Sequence, residues 1–184
     1  MLVIKKIIIH ILLVTIFSFS SGMTFLFADE VSEIREMTKE KVDHVISTLK
    51  NDQLNKEEKK EEILKTIEGL FDFNLMARLS LGKKFWKKLS TEGRNEFTEL
   101  FVERLKQSYL DKLDLYTDEE VVVDEAKLIK KKRVEVLTYL VSNDDKMEMT
   151  YKLYKTKKNV WMVYDVDVLG VSIVQTYRSQ FSGV

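Results

Sequence analysis

The sequence lacks cysteine and proline altogether, and it contains only two histidines and six glycines. Without cysteine the chain can form neither a disulfide framework nor a thiolate metal site. The histidines show no spacing with Asp or Glu that suggests a metal site, and there is no glycine-rich phosphate loop. The sequence therefore predicts no metal and no cofactor.

Candidate catalytic residues are also few. Only His44 lies beyond the N-terminal segment, and no serine completes a recognisable nucleophilic arrangement with it. Asp165 and Asp167 share one face of a predicted strand and could act as an acid–base pair. Such carboxylates more often anchor basic side chains, and we expect Asp165 to pair with Arg178. No catalytic residue is predicted, and an enzyme is disfavoured.

The charges are balanced, with 30 basic and 30 acidic residues. This balance gives no general attraction to nucleic acid or to an anionic bilayer. We interpret the basic runs as solvated surfaces, with docking to an acidic partner as the alternative. These runs are Lys83-Lys84, Lys87-Lys88 and Lys130-Lys131-Lys132-Arg133.

The first 28 residues have the order of a secretory signal peptide. Lys5 and Lys6 precede an apolar run over residues 7–19, and small residues follow at 20–22. Residues 7–28 are also long enough to span a bilayer as an uncleaved anchor. In either case we expect residues 29–184 to form a single domain outside the cytoplasm.

The rest of the chain is helical first and strand-like afterwards. Apolar residues at spacings of three and four predict helices over residues 29–49, 55–69, 92–113 and 172–181. A short buried helix is expected from Phe71. Predicted N-caps are Asn55, with Glu58 closing a capping box, Ser90 or Thr91, and Ser172, with Gln175 closing a second capping box.

Alternating apolar residues predict strands over residues 119–123, 134–142, 147–155 and 160–168. Helices followed by a meander of strands are typical of an α+β fold, in which N-terminal helices pack on one face of a curved antiparallel sheet. We predict about four strands and a C-terminal helix.

The C-terminal quarter resembles the signature of a known family. It contains the runs Trp161-Met162-Val163-Tyr164-Asp165-Val166, Gly170-Val171-Ser172-Ile173-Val174 and Tyr177-Arg178-Ser179-Gln180-Phe181. The middle of the chain is similar too, at Phe71-Asp72, Met76-Ala77, Leu81-Gly82, Trp86 and residues 97–109. These motifs resemble those of the MlaC family, the periplasmic phospholipid-binding components of the Mla (toluene-tolerance type) transport system.

The resemblance implies a fold related to the NTF2-like group, with an internal apolar cavity that encloses the acyl chains of a diacyl phospholipid. Family members shuttle lipid between an outer-membrane lipoprotein–porin complex and an inner-membrane ABC transporter with an MCE-domain subunit. We therefore expect a monomeric periplasmic lipid carrier that supports outer-membrane lipid asymmetry. The alternatives are a small NTF2-like acid–base enzyme and a membrane-tethered envelope adaptor.

Alternation and helical phase, rather than the family motif, give the predicted lipid-binding residues. The strands contribute Met149, Tyr151, Leu153, Met162, Tyr164 and Val166. The helices contribute Leu79, Phe97, Phe101, Leu105 and Tyr109. The predicted mouth consists of Val171, Val174 and Tyr177. Methionine suits such a wall because its side chain is unbranched and flexible.

Overall fold

The computed structural model describes residues 22–109, 119–142 and 145–183, with side chains from residue 29 onward. The helices are α1 (Gly22–Leu49), α2 (Lys56–Leu70), α3 (Phe73–Leu81), α4 (Lys83–Trp86), α5 (Thr91–Tyr109) and α6 (Ile173–Ser182). The strands are β1 (Glu120–Lys130), β2 (Arg133–Ser142), β3 (Asp145–Lys155), β4 (Trp161–Val168) and β5 (Val171–Ser172). Residues 1–21, most of the predicted signal peptide, lie outside the described residues.

The strands form one antiparallel sheet in the order β1-β2-β3-β4-β5. This arrangement confirms the predicted α+β architecture, with a short fifth strand added. Strand β1 also continues to Lys130, well beyond the predicted end at Val123. A register shift between Val123 and Ala126 interrupts the alternation of apolar residues, which hides the second half of the strand from a period-two pattern.

The helix starts follow the predicted capping chemistry. Asn55 accepts hydrogen bonds from the N–H groups of Glu57 and Glu58, and the Glu58 carboxylate accepts the N–H of Asn55, so the capping box is complete. Ser90 accepts the N–H of Gly93 at the start of α5. At α6 the hydroxyl of Ser172 accepts the N–H of Gln175, but the described residues show no bond from the Gln175 side chain that would complete the second predicted capping box. The last four residues predicted for the helix 92–113 lie outside the described residues.

One face of the sheet is buried against helices. On this inner face Val134, Val136, Leu153 and Val163 are almost fully buried, and Ile34 of α1 packs against them. A second apolar cluster joins α3, α5 and α6 and includes Met76, Ala77, Phe101, Val174 and Tyr177. The two clusters meet at Phe71 and Ile173, which contact both. The helical layer and the sheet therefore enclose a shared interior.

A β-bulge in β4 decides which side chains reach that interior. Leu153 pairs with Val163 and Lys152 pairs with Asp165, so Tyr164 is the extra residue. Before the bulge Val163 faces inward, and after it Val166 and Val168 do. Because the side-chain period of a strand is two, one inserted residue transfers the preceding residues to the opposite face.

Ser80 provides a test of packing in the second cluster. Its side chain is fully buried in α3, and its hydroxyl has no hydrogen-bond partner among the described residues. Because an unpaired buried hydroxyl costs free energy, we expect Ser80→Ala to raise the free energy of unfolding by up to about 1 kcal/mol. Chemical denaturation would measure the change.

The matched control is Thr48→Ala in α1. The Thr48 hydroxyl is also buried but donates to the carbonyl of His44 at 2.9 Å. This variant should lose about 1 kcal/mol because a satisfied hydrogen bond and a methyl group are removed. A loss of similar size in Ser80→Ala would contradict the interpretation.

Candidate functional site

A cavity of about 230 Å³, here called the major cavity, lies between the helical layer and the inner face of the sheet. Its wall is built from α2, α3, α5, β3, β4 and the start of α6. The lining residues are Leu64, Ile67, Phe71, Phe73, Met76, Val102, Leu105, Lys106, Tyr109, Met149, Tyr151, Val166, Val168 and Ile173.

The wall of the major cavity is almost entirely apolar. The polar groups are the hydroxyls of Tyr109 and Tyr151 and the ammonium group of Lys106. The Lys106 ammonium lies 3.2 Å from a carboxylate oxygen of Glu68 at the partly exposed end of the side chain. Its methylene stem therefore contributes to the wall while the charge remains near solvent. Such a cavity offers an apolar ligand dispersion contacts and release from water, with few groups for chemistry.

A second, smaller cavity of about 160 Å³ lies between α1, α2 and the sheet and is here called the minor cavity. It shares Ile67, Phe71 and Tyr151 with the major cavity. Its other lining residues are Thr38, Lys41, Val42, Val45, Ile46, Thr66, Leu70 and Val121.

Five of the residues predicted from the sequence line the major cavity together. They are Leu105, Tyr109, Met149, Tyr151 and Val166. The two helical residues come from one face of α5, and the three strand residues come from neighbouring positions on β3 and β4. The structure therefore brings together the middle of the predicted wall.

Other predicted residues lie in the packed core and not in the wall of the major or the minor cavity. Phe101, Val174 and Tyr177 are buried in the cluster of α3, α5 and α6, where Leu79 and Phe97 pack against them. The rings of Phe101 and Tyr177 meet edge to face at 5.3 Å. Leu153 is fully buried in the sheet core. Val174 and Tyr177 therefore do not form a mouth, because α6 packs this face onto α3 and α5.

Three predicted residues lie elsewhere. Met162 and Tyr164 are on the outer face of the sheet because of the bulge in β4, with the Tyr164 ring against Tyr154 and under the guanidinium of Arg133. Val171 is 60% exposed at the start of β5. The strict alternation assumed for residues 160–168 placed Met162 and Tyr164 on the wrong face.

Most residues of the helical wall of the cavities are not among those predicted from the sequence. Phe71, Phe73 and Met76 belong to the predicted short buried segment, but neither they nor Ile67 of α2 are among the residues predicted to line the site. Asp72 fixes this segment because its N–H donates to the carbonyl of Val163 at 2.9 Å, beside a bridge between Phe71 and Val163. The Phe-Asp pair at the end of α2 was the available signal.

Tyr151 occupies the boundary between the two cavities. Its phenol lies deep in the interior, and burial raises its pKa. Part of the side chain nevertheless remains accessible, and that surface faces the cavities. Its hydroxyl forms no hydrogen bond within the part of the chain that the structure describes. The interior thus contains a polar donor at its centre.

Asp165 attaches α6 to the sheet. Its carboxylate accepts the N–H groups of Val166 and Val174 and the hydroxyl of Ser172, at 3.0, 3.1 and 2.7 Å. Lys152 lies 3.3 Å away and also contacts Asp167 at 2.7 Å. These contacts correct the predicted pairing of Asp165 with Arg178.

Arg178 is placed against α3 instead. Gly82 ends that helix with φ +80°, and a Cβ atom there would lie 3.5 Å from Nε of Arg178. The backbone at Gly82 therefore lies close to the guanidinium of Arg178, and its positive φ favours glycine at this position.

Within residues 22–109, 119–142 and 145–183, no cluster of three or more His, Asp and Glu side chains could hold a metal ion. Over the same residues no helix combines the length and the apolar character needed to cross a bilayer.

The chain is similar to known proteins over most of its length. A family model described as MlaC protein matches residues 39–184. A solved structure of the phospholipid-binding protein from Ralstonia solanacearum, in complex with a phospholipid, superposes with a TM-score of 0.72. It is 23% identical, and the similarity covers 82% of this chain and 86% of that one. None of the curated proteins matches. Because the family model spans well over half of the sequence, the chain belongs to the MlaC family.

Proposed function

We propose that this protein is a periplasmic phospholipid carrier of the Mla type, which binds the acyl chains of a diacyl phospholipid in the interior between its helices and its sheet. The main supporting observation is the major cavity, whose wall is apolar except for Lys106 at the edge and the hydroxyls of Tyr109 and Tyr151. Membership of the MlaC family supports the assignment, as does the fold shared with a protein described as phospholipid-binding.

The energetics favour a carrier of this kind. Each acyl methylene exposed to water costs about 0.8 kcal/mol. A phospholipid crossing the periplasm therefore needs a protein that covers its chains and leaves the headgroup in water. The expected partners are an outer-membrane lipoprotein–porin complex as one terminus and an inner-membrane ABC transporter with an MCE-domain subunit as the other.

The residues that line the two cavities give less support to the enzyme alternative. An acid–base mechanism needs a carboxylate or histidine directed at the ligand. The ionisable side chains that line the two cavities are Lys41, Lys106, Tyr109 and Tyr151. Glu135, the one acid that an inverted strand phase would have turned inward, pairs with Lys152 on the outer face of the sheet. The adaptor alternative predicts a filled interior, whereas two cavities are present.

Lipid extraction tests the proposal. We expect the protein, expressed with its signal peptide and purified without detergent, to yield about one phospholipid per chain by native mass spectrometry and lipid analysis. Met149→Asp should lower this occupancy about tenfold or more because an unpaired carboxylate in an apolar wall is strongly disfavoured. Recovery of the folded protein without phospholipid would contradict the proposal.

Met162→Asp is the matched control. Both methionines lie on adjacent strands of the same sheet and are half-buried, but Met149 lines the major cavity and Met162 faces away from it. The control should keep its phospholipid. Circular dichroism of both variants separates loss of binding from loss of folding.

A further inference from the structure

The minor cavity has the composition of a ligand compartment. Its α1 side is formed by Val42, Val45 and Ile46, and its sheet side by Val121 and Tyr151. No sequence pattern pointed to α1 as part of a binding site, because its apolar stripe is that of any amphipathic helix.

Apart from Tyr151, the polar residues of the minor cavity are already engaged. The hydroxyls of Thr38 and Thr66 donate to carbonyls of their own helices at 2.8 and 3.1 Å. The Lys41 side chain is 42% exposed, with its ammonium group 3.7 Å from Glu40. The threonine donors are therefore used within the helices and the lysine charge reaches the surface, which leaves an apolar compartment.

Three side chains separate the minor cavity from the major one. Ile67 comes from α2, Phe71 from the segment before α3 and Tyr151 from the middle of β3, and each lines both cavities. The two compartments are thus neighbours divided by the thickness of these side chains, with wall residues on opposite sides of the partition.

The volumes of the two cavities indicate the shape of ligand that would fit them. Neither reaches the lower end of the range usual for small-molecule sites, roughly 300 Å³, but the two together exceed it. A ligand with two apolar branches fits this division better than one with a single bulky body. The unpaired hydroxyl of Tyr151 adds a donor at the partition, where a purely hydrocarbon ligand would leave it unsatisfied.

We propose that the minor cavity receives one acyl chain of a diacyl lipid while the major cavity receives the other, so that the two chains diverge around Tyr151. The Tyr151 hydroxyl then donates to an ester carbonyl oxygen of the lipid. This inference rests on the proposed phospholipid-carrier function and adds α1 to the binding site.

Two matched substitutions test the assignment of the chains. Val45 on α1 lines only the minor cavity, and Val102 on α5 lines only the major cavity. Phenylalanine at either position adds the same volume to a helix that accepts it equally well. Val45→Phe and Val102→Phe should each lower occupancy by diacyl phosphatidylethanolamine about tenfold or more, while lysophosphatidylethanolamine, with one chain, still binds.

These measurements distinguish failure of the carrier function from failure of the division of the acyl chains between the two cavities. Wild-type protein without bound phospholipid would overturn the carrier function and this inference with it. Wild-type protein with phospholipid, together with a Val45→Phe variant that binds the diacyl lipid normally, would overturn only the inference. In that case both chains occupy the major cavity, and Val102→Phe alone should fail.

Photocrosslinking provides a measurement that needs no substitution. A phospholipid with a diazirine in one acyl chain should label α1 as well as α5 of the wild-type protein, because either chain can enter either compartment. Labelling confined to α5 and the strands would contradict the division.

The ester contact has its own test. Tyr151→Phe keeps the partition but removes the donor, and it should weaken binding of a diester phospholipid about fivefold. A diether analogue lacks the carbonyl and should bind both proteins equally. Equal weakening of both lipids would overturn the ester contact.

Discussion

Asp165→Ala is expected to lower the free energy of unfolding by about 3 kcal/mol, the largest loss predicted for a single residue of this protein. The side chain is 5% exposed and accepts the backbone N–H groups of Val166 and Val174 as well as the hydroxyl of Ser172. Each buried donor that loses its acceptor costs about 1–3 kcal/mol. Chemical denaturation of the purified variant measures the loss.

The Asp165→Ala substitution should also affect the binding site. Val174 lies in the first turn of α6, and the adjacent Ile173 lines the major cavity. Without Asp165 the start of α6 loses its attachment to β4, so we expect the variant to retain less phospholipid even under conditions where it remains folded.

Asp167→Ala is the matched control because it removes a neighbouring acid on the same strand that shares Lys152. The Asp167 side chain is 21% exposed and contacts Lys152, which keeps Asp165 as a second partner. A loss below about 1 kcal/mol is expected for such a partly exposed pair. Equal losses in the two variants would show that the ion pair, and not the backbone acceptor, stabilises this region.

Asp72→Ala is expected to lower the free energy of unfolding by about 2–3 kcal/mol. The Asp72 carboxylate caps α3 by accepting the N–H of Leu75 at 2.9 Å, and it also accepts the hydroxyl of Tyr154 from β3. Loss of an N-cap costs about 1 kcal/mol, and loss of a hydrogen bond to a charged group costs about 1.5–3 kcal/mol. Thermal and chemical unfolding would both report the change.

Tyr154→Phe separates these two contributions. It removes only the bond between the strand and the cap, so it should cost less than Asp72→Ala. In the double variant Tyr154→Phe should add little to the loss caused by Asp72→Ala, because the shared bond is already absent. Additive losses would indicate that Asp72 and Tyr154 act independently.

The same bond predicts a dependence on alkaline pH. Desolvation, followed by the hydrogen bond to Asp72, raises the pKa of Tyr154 from 10.0 to about 12. Since the folded state holds the proton more tightly, this stabilisation is complete below pH 10 and is lost as the pH rises through 12. With screening by solvent, the wild type should lose about 1–2 kcal/mol more than Tyr154→Phe over that interval. Parallel pH profiles would contradict the assignment.

The order and type of the elements followed from local signals in the sequence. Helical spacing and capping residues located α2 and α5, and Asn55 and Ser90 act as N-caps in the structure as predicted. Alternation located four strands, because one face of the sheet is apolar along most of its length. The motifs in the C-terminal quarter indicated the family, and the structure shows that Asp165 and the start of α6, which belong to these motifs, form one hydrogen-bonded unit.

The site depended on features that a linear pattern does not contain. One inserted residue at Tyr164 moved Met162 to the outer face, and alternation alone carries no signal for a bulge. Helical phase shows which residues of α5 are buried, but it does not distinguish Leu105, which lines the cavity, from Phe101, which fills the core.

The sequence by itself thus determined the α+β class, the family and the apolar character of the interior, because these depend on residue type and short-range spacing. Only the tertiary structure decided where that interior is filled and where it is open. Open space depends on how far apart α1, α2, α5 and the sheet are held, and on Tyr151 standing between two compartments. Those distances arise from packing between segments that are remote in the chain, such as the contact of Phe71 and Asp72 with Val163.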